Sequence, residues 1–131
     1  MTGLDTNVLV RYIMQDDRTQ SAKATKLIEA LTLNKPGFVS LVSIVELFWV
    51  LTKSYSLSRG QVSQALGLLL RTKEIVVDRA EHVAKALRLY SVSSADFADC
   101  LIEKISSNLG CERTMTFDIH AAKVTGMTLI K

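Results

Sequence analysis

The sequence predicts an α/β protein, a three-layer α/β/α sandwich in which a mostly parallel central sheet carries helices on both faces. Long stretches with apolar residues at helical spacing alternate with short extended runs along the 131 residues. Strands that alternate with helices imply parallel pairing, because a parallel connection has to cross over the sheet. Pro36 is the single proline, and no Gly/Ser-rich segment suggests a linker. The length fits one domain.

The N-terminal part of the chain predicts two strands and three helices. Thr2–Asp5 is a short strand candidate, and apolar residues at helical spacing predict a helix through Val8–Ile13. A second helix over Thr19–Leu33 ends at the turn signals Asn34–Gly37, and the next strand begins directly after them. Ser43–Ser54 predicts a helix that is apolar nearly all round.

The remainder of the chain predicts three strands and four helices. Apolar stripes predict helices over Ser58–Thr72, Ala80–Tyr90 and Ser94–Leu109, the last ended by Gly110. The β-branched run Ile75–Val77 predicts a buried strand. The last two strands and the short helix between them are expected at Thr114–Phe117, at Met127–Ile130 and near Ala121.

Composition excludes several classes of protein. Hydrophobic residues make up 48% and charged residues 22%, which excludes intrinsic disorder. The longest near-apolar stretch, Phe38–Leu51, is too short to span a bilayer, and nothing resembles an export signal. Cys100 and Cys111 fit neither a disulfide framework nor a zinc pattern, so we expect a reduced cytosolic protein. The net charge of +3 by itself is weak support for an anionic partner.

Acidic residues stand at or near the ends of three predicted strands. Asp5 and Asp118 each follow a strand directly, where an α/β sheet places its ligands. Glu46 lies among residues expected to be buried, and Ser43-x-x-Glu46 matches a capping box. Each acid has a second interpretation as a helix cap, and for Glu46 both interpretations are compatible.

Asp96 and Asp99 begin the predicted helix that starts at Ser94, where acids complement the helix dipole and Ser93 or Ser94 would be the cap. Asp99 falls about 130° from the centre of the apolar face and Asp96 about 170° from it. We therefore expect Asp99 near the rim of the buried face and Asp96 in solvent.

Four short segments, in order, resemble the motifs of the PIN-domain ribonucleases. Leu4–Leu9 resembles the first motif, Ser43–Leu47 the second, Asp96–Ile102 the third and Thr116–Asp118 the fourth. Each segment is short, but the four occur in order and at family spacing, and the match extends over essentially the whole chain. The chain most resembles the VapC toxins of bacterial toxin–antitoxin pairs. The resemblance implies one PIN domain over residues 1–131 with a PIN-like fold.

The resemblance also implies a site and partners. The implied ligands of Mg²⁺ or Mn²⁺ are Asp5, Glu46, Asp99 and Asp118, with Asp96 as an accessory acid and Asn7 and Thr116 as supporting hydrogen-bonding residues. It further implies a homodimer, an RNA substrate and a small VapB-like antitoxin that occludes the site. Oxygen ligands without a His/Cys cluster suit these cations better than Zn²⁺.

Such acids predict metal-assisted phosphodiester hydrolysis, with Asp5 and Asp99 as direct ligands. Glu46 and Asp118 would act through water or position the nucleophile. Three alternatives stay open: an RNA-processing PIN nuclease outside a toxin–antitoxin pair, phosphoryl transfer through an aspartyl nucleophile, and a metal-free interaction module whose acids are caps. Asn7 argues against the second, because the best-known family with that chemistry has an Asp there.

The sequence also predicts the surroundings or the role of several side chains outside the implied site. His120 is expected to be an exposed residue at a helix start, and Cys100 a small buried residue. Trp49 and Tyr55 neighbour an apolar helix and are expected in the core or a dimer interface. Arg11 is one of several basic residues that could meet RNA.

Overall fold

The computed structural model describes residues 1–131, which divide into two compact units. The first unit is residues 1–80 and the second unit is residues 81–131. The boundary falls at the start of a helix that begins at Ala80. None of the helices is both long enough and apolar enough to cross a membrane.

The first unit contains a parallel sheet and four helices. In chain order its elements are β1 (Thr2–Gly3), α1 (Thr6–Met14), α2 (Arg18–Glu29), β2 (Gly37–Val39), α3 (Leu41–Lys53), α4 (Arg59–Arg71) and β3 (Ile75–Val77). The strand order is β1-β2-β3, with Thr2 opposite Gly37 and Phe38 opposite Val76. All three strands run in the same direction, so their carboxyl ends lie at one edge of the sheet.

The core of the first unit is formed by β2 and the inner faces of the helices. Its most deeply buried side chains are Leu9, Val39, Ile44, Leu47, Leu51, Val62 and Leu66. A Cβ atom on Gly37 would lie 2.8 Å from the Leu31 side chain and 2.9 Å from that of Leu4. A glycine therefore allows these two side chains to pack closely on β2.

The second unit contains three helices and a two-stranded parallel ladder. Its elements are α5 (Ala80–Val92), α6 (Phe97–Asn108), β4 (Met115–Thr116), α7 (Ile119–Thr125) and β5 (Thr128–Leu129). β4 pairs with β5, with Met115 opposite Thr128. Tyr90 of α5 meets Phe97 of α6 edge-to-face, with ring centroids 6.1 Å apart. Cys100 is fully buried, as expected, and Cys111 is exposed.

The predicted elements occur in the predicted order, and the differences lie at their ends. The second helix ends at Glu29 instead of Leu33, whose side chain is 68% exposed, because an apolar residue need not belong to a buried face. The third helix begins at Leu41, two residues earlier than expected, and the sixth begins at Phe97, three residues later. These two starts determine which residues cap the helices that carry the acids.

Candidate functional site

In the first unit, Asp5 lies where the chain leaves β1 and enters α1. It is the N-cap of α1, and its Oδ1 accepts a hydrogen bond of 3.1 Å from the backbone N–H of Val8. Its Oδ2 takes part in no hydrogen bond, and the side chain is exposed. Capping therefore uses one carboxylate oxygen and leaves the other accessible.

Glu46 lies on α3, but the expected capping box does not form. Ser40 is the N-cap of α3, and its Oγ accepts a 3.2 Å hydrogen bond from the N–H of Ser43. The helix buries Ile44 and Leu47, while Glu46 points away from that face and is exposed. The interpretation of Glu46 as a helix cap is therefore wrong, because the helix begins earlier than the sequence pattern suggests, and its side chain is exposed although many of its neighbours are buried.

A threonine connects the two acid-bearing helices of the first unit. The hydroxyl of Thr6 donates a 2.7 Å hydrogen bond to Oε1 of Glu46. Thr6 directly follows Asp5, so this bond joins α3 to the first turn of α1. The sequence analysis did not assign Thr6 a role, although its place between Asp5 and Asn7 was a usable signal. Asn7 is exposed and forms no hydrogen bond to an acid.

Asp78 is a second residue that the sequence analysis missed. It follows β3 as Asp5 follows β1, so the same strand-end rule would have found it. Its Oδ2 accepts a 3.2 Å hydrogen bond from the N–H of Leu41, the first residue of α3. Asp78 thus satisfies a backbone donor at the start of the helix that carries Glu46.

A cleft of about 360 Å³ lies beside Asp5, between α1 and α2, and Arg11 and Lys23 contribute to its lining. The Arg11 guanidinium already has protein partners. It donates to Asp16 at 3.1 Å, to the Tyr55 hydroxyl at 3.2 Å and, through Nε, to Gln20 at 2.7 Å. These bonds hold Arg11 in place beside α2.

In the second unit, three acids are grouped around the start of α6. Asp96, and not Ser93 or Ser94, is the N-cap, and its Oδ1 accepts a 3.0 Å hydrogen bond from the N–H of Asp99. Burial raises the pKa of the half-buried Asp99 carboxyl, and the negative charges of Asp96 and then Asp118 raise it as well. Asp96 is more exposed than Asp99, as expected, although it precedes the helix as its cap and does not lie within it.

Asp118 is the N-cap of α7 and accepts a 2.9 Å hydrogen bond from the N–H of Ala121 through Oδ1. Its own N–H donates to Oγ1 of Thr116 at 3.0 Å, so Thr116 supports the turn that carries this acid. His120 is exposed, and its ring Nε2 lies 3.0 Å from Oγ and 3.1 Å from the carbonyl oxygen of Ser94. His120 thus ties the start of α7 to the segment before α6.

The donor chemistry of these residues fits a hard divalent cation. All the candidate ligands are carboxylates, and none takes part in the ion pairs Arg11–Asp16 or Lys104–Glu103. No three His, Cys, Asp or Glu side chains converge closely enough to form a ready-made set of metal ligands. The fit therefore lies in the type of donor and in the free second oxygens of the capping residues Asp5, Asp96 and Asp118.

Known proteins share sequence similarity with nearly the whole of this chain. The PIN domain family model matches residues 4–127 and therefore includes every candidate acid and both units. A VapC ribonuclease of Aquifex aeolicus (strain VF5) is 23% identical over 117 residues, which are 89% of this chain and 87% of that protein. The predicted PIN-like α/β fold is thereby confirmed. The match spans nearly the whole sequence, and the chain belongs to the PIN domain family.

Proposed function

We propose that this protein is a metal-dependent ribonuclease that hydrolyses RNA phosphodiester bonds and acts as the toxin of a toxin–antitoxin pair. Membership of the PIN domain family and the similarity to a VapC ribonuclease support a nuclease. One observation carries the metal dependence. Asp99 caps no helix and is half-buried beside Asp96 and Asp118, where a cation would offset the negative charge.

The same observation favours a metal site over a metal-free interaction module. Such a module would use its acids as helix caps, and Asp5, Asp96 and Asp118 are indeed caps. Asp99 and Glu46 are not, so capping does not account for them. A half-buried carboxylate with no cationic partner is costly unless a ligand completes its surroundings.

In the proposed mechanism, Asp5 and Asp99 are direct metal ligands, and Glu46 and Asp118 act through water or position the nucleophile. A bound Mg²⁺ or Mn²⁺ would lower the pKa of a water molecule and offset charge on the scissile phosphate. Thr6 holds Glu46 through its 2.7 Å hydrogen bond. Thr116 supports the turn of Asp118, and Asp96 holds the first turn of α6, with Asn7 beside Asp5.

We further propose that residues 1–131 form one PIN domain, because the family model crosses the boundary between the two units. The proposed partners are an RNA substrate, a second copy of the chain in a homodimer, and a VapB-like antitoxin that covers the site. The proposed location is the cytoplasm, where such an RNA substrate is found.

Cleavage of RNA by the purified, partner-free protein tests the activity. We expect cleavage of structured RNA with Mg²⁺ or Mn²⁺, none with EDTA, and a loss of at least 100-fold on Asp5→Asn, in line with the loss of a transition-state electrostatic group. Asp17→Asn is the matched control, because Asp17 also caps a helix, through a 2.8 Å bond from the N–H of Gln20. Cleavage that survives both EDTA and Asp5→Asn would overturn the proposal.

The toxin role has a separate test in cells. Expression of the wild-type chain should arrest growth, expression of Asp5→Asn should not, and co-expression of the antitoxin should restore growth. A protein that cleaves RNA in vitro but leaves growth unaffected would instead be an RNA-processing nuclease outside a toxin–antitoxin pair.

A further inference from the structure

We propose that Phe117 is a stacking platform for a nucleobase of the RNA substrate, directly beside the acid Asp118. The inference rests on the proposed ribonuclease function and adds a substrate contact to it. Phe117 is 80% exposed, the most exposed aromatic side chain in the protein. A fold is stabilised by the apolar surface that it buries, and the Phe117 ring buries very little of its surface.

The backbone around Phe117 is held on both sides. The carbonyl oxygen of Thr116 accepts a 2.8 Å hydrogen bond from Ile130, and its Oγ1 accepts a 3.0 Å bond from the N–H of Asp118. On the other side, Asp118 caps α7 through Ala121. Because these bonds already fix the backbone, covering the ring with a ligand costs little further backbone entropy.

The position of Phe117 determines which ligand it fits. Its neighbour Asp118 is proposed to act at the metal through water or to position the nucleophile, so RNA that places a phosphate at the metal also brings a nucleotide next to this ring. Carboxylates and a cation bind phosphates and water, but they make no favourable contact with the apolar face of a base. An exposed phenyl ring supplies that contact, and stacking tolerates any base because every base has a π-face.

Nearby apolar side chains extend the surface. Met115 is 44% exposed in β4, two residues before Phe117 in the chain. Ile119 is 63% exposed at the first position of α7. A second copy of the chain could also cover such a surface, and the experiment separates this occupant from a base.

The test compares substitutions of Phe117 in the full chain on the structured RNA that the wild type cleaves. Phe117→Ala should lower kcat/KM roughly 10- to 100-fold, the scale of one base–aromatic stack, mainly through KM. Phe117→Trp should restore activity, whereas Phe117→Leu, which stays apolar but has no π-face, should not. Leu109→Ala is the control, because Leu109 is 74% exposed at the opposite end of α6 from Asp96.

A binding measurement gives a readout without cleavage. In the inactive Asp5→Asn background, an oligoribonucleotide carrying 2-aminopurine should bind more weakly after Phe117→Ala, and the fluorescence change on binding should shrink. If Phe117→Leu restores activity, and Phe117→Ala instead shifts the dimer to monomer in sedimentation, the surface is an interface between copies and the inference is wrong.

Failure of the inference is distinct from failure of the proposed function. If the wild type cleaves RNA and Phe117→Ala cleaves it equally well, only the stacking role is overturned. If the wild type neither binds nor cleaves any RNA, the ribonuclease proposal is overturned, and the stacking role with it.

Discussion

Asp99 is the least solvent-exposed of the candidate acids. Burial, and then the charges of Asp96 and Asp118, raise the pKa of its carboxyl above the ordinary value of 3.8. The folded protein therefore binds this proton more tightly than the unfolded chain does. Stability consequently falls as the pH rises from the unfolded value to the raised folded value, and it stays lower above that range.

Asp99→Asn should remove this loss. In metal-free protein at neutral pH we expect a melting temperature slightly above that of the wild type, a smaller dependence of stability on pH above 3.8, and no rise in melting temperature with Mn²⁺. Asp96→Asn should keep most of the Mn²⁺ response, since Asn caps helices as well as Asp does. Thermal melting with EDTA and with saturating Mn²⁺ makes the comparison. The assignment is wrong if the two variants behave the other way round.

His120 is expected to position Asp118 relative to α6 through its contacts with Ser94. His120→Ala removes contacts of 3.0 and 3.1 Å, which should cost about 0.5–1.5 kcal/mol of stability and weaken Mn²⁺ binding. His120→Gln places an amide nitrogen near the position of Nε2 and should restore both. Calorimetric titration with Mn²⁺ and urea unfolding give the two readouts. Equal Mn²⁺ affinity in wild type and His120→Ala would contradict a positioning role.

Among the elements, α3 shows how a helix start determines the role of an acid. Ser40 caps the helix, and Asp78 accepts from Leu41, so the first turn is satisfied without Glu46. Glu46 is consequently available to accept from Thr6 and to serve at the site.

Urea unfolding of two serine variants tests this start. Ser40→Ala should destabilise the protein by about 0.5–2 kcal/mol, the usual cost of losing an N-cap. Ser43→Ala should cost less, because Ser43 lies inside the helix, where alanine is favoured. A larger loss for Ser43→Ala would show that the helix begins where the sequence pattern suggested.

The end of α3 shows a different departure from expectation. Trp49 was expected in the core or in a dimer interface, but it is 60% exposed, so a position in the core is wrong. The Lys53 ammonium lies 5.3 Å from the centre of its ring. Tyr55 donates a 2.5 Å hydrogen bond to Asp16 and accepts from Arg11. This bond is the main cause of the lowered pKa of Asp16. Tyr55 thus ties the end of α3 to the turn after α1.

At the scale of the whole molecule, the two proposed direct ligands are tested side by side. Asp5→Asn and Asp99→Asn should each weaken Mn²⁺ binding at least 10-fold. Asp17→Asn should bind Mn²⁺ as the wild type does. Calorimetric titration of the three variants checks this. Retained affinity in Asp5→Asn would show that Asp5 is not a metal ligand.

The sequence alone determined the order and type of the elements, and it identified acids at the ends of β1 and β4, because these features depend on local periodicity. The tertiary structure decided which oxygen and which partner each acid uses. Thr6 and Glu46 are 40 residues apart, and Ser94 and His120 are 26 apart, so no local pattern records these bonds. The exposure of Glu46 and of Phe117 likewise depends on what the folded chain places over them, which is a property of packing and not of spacing.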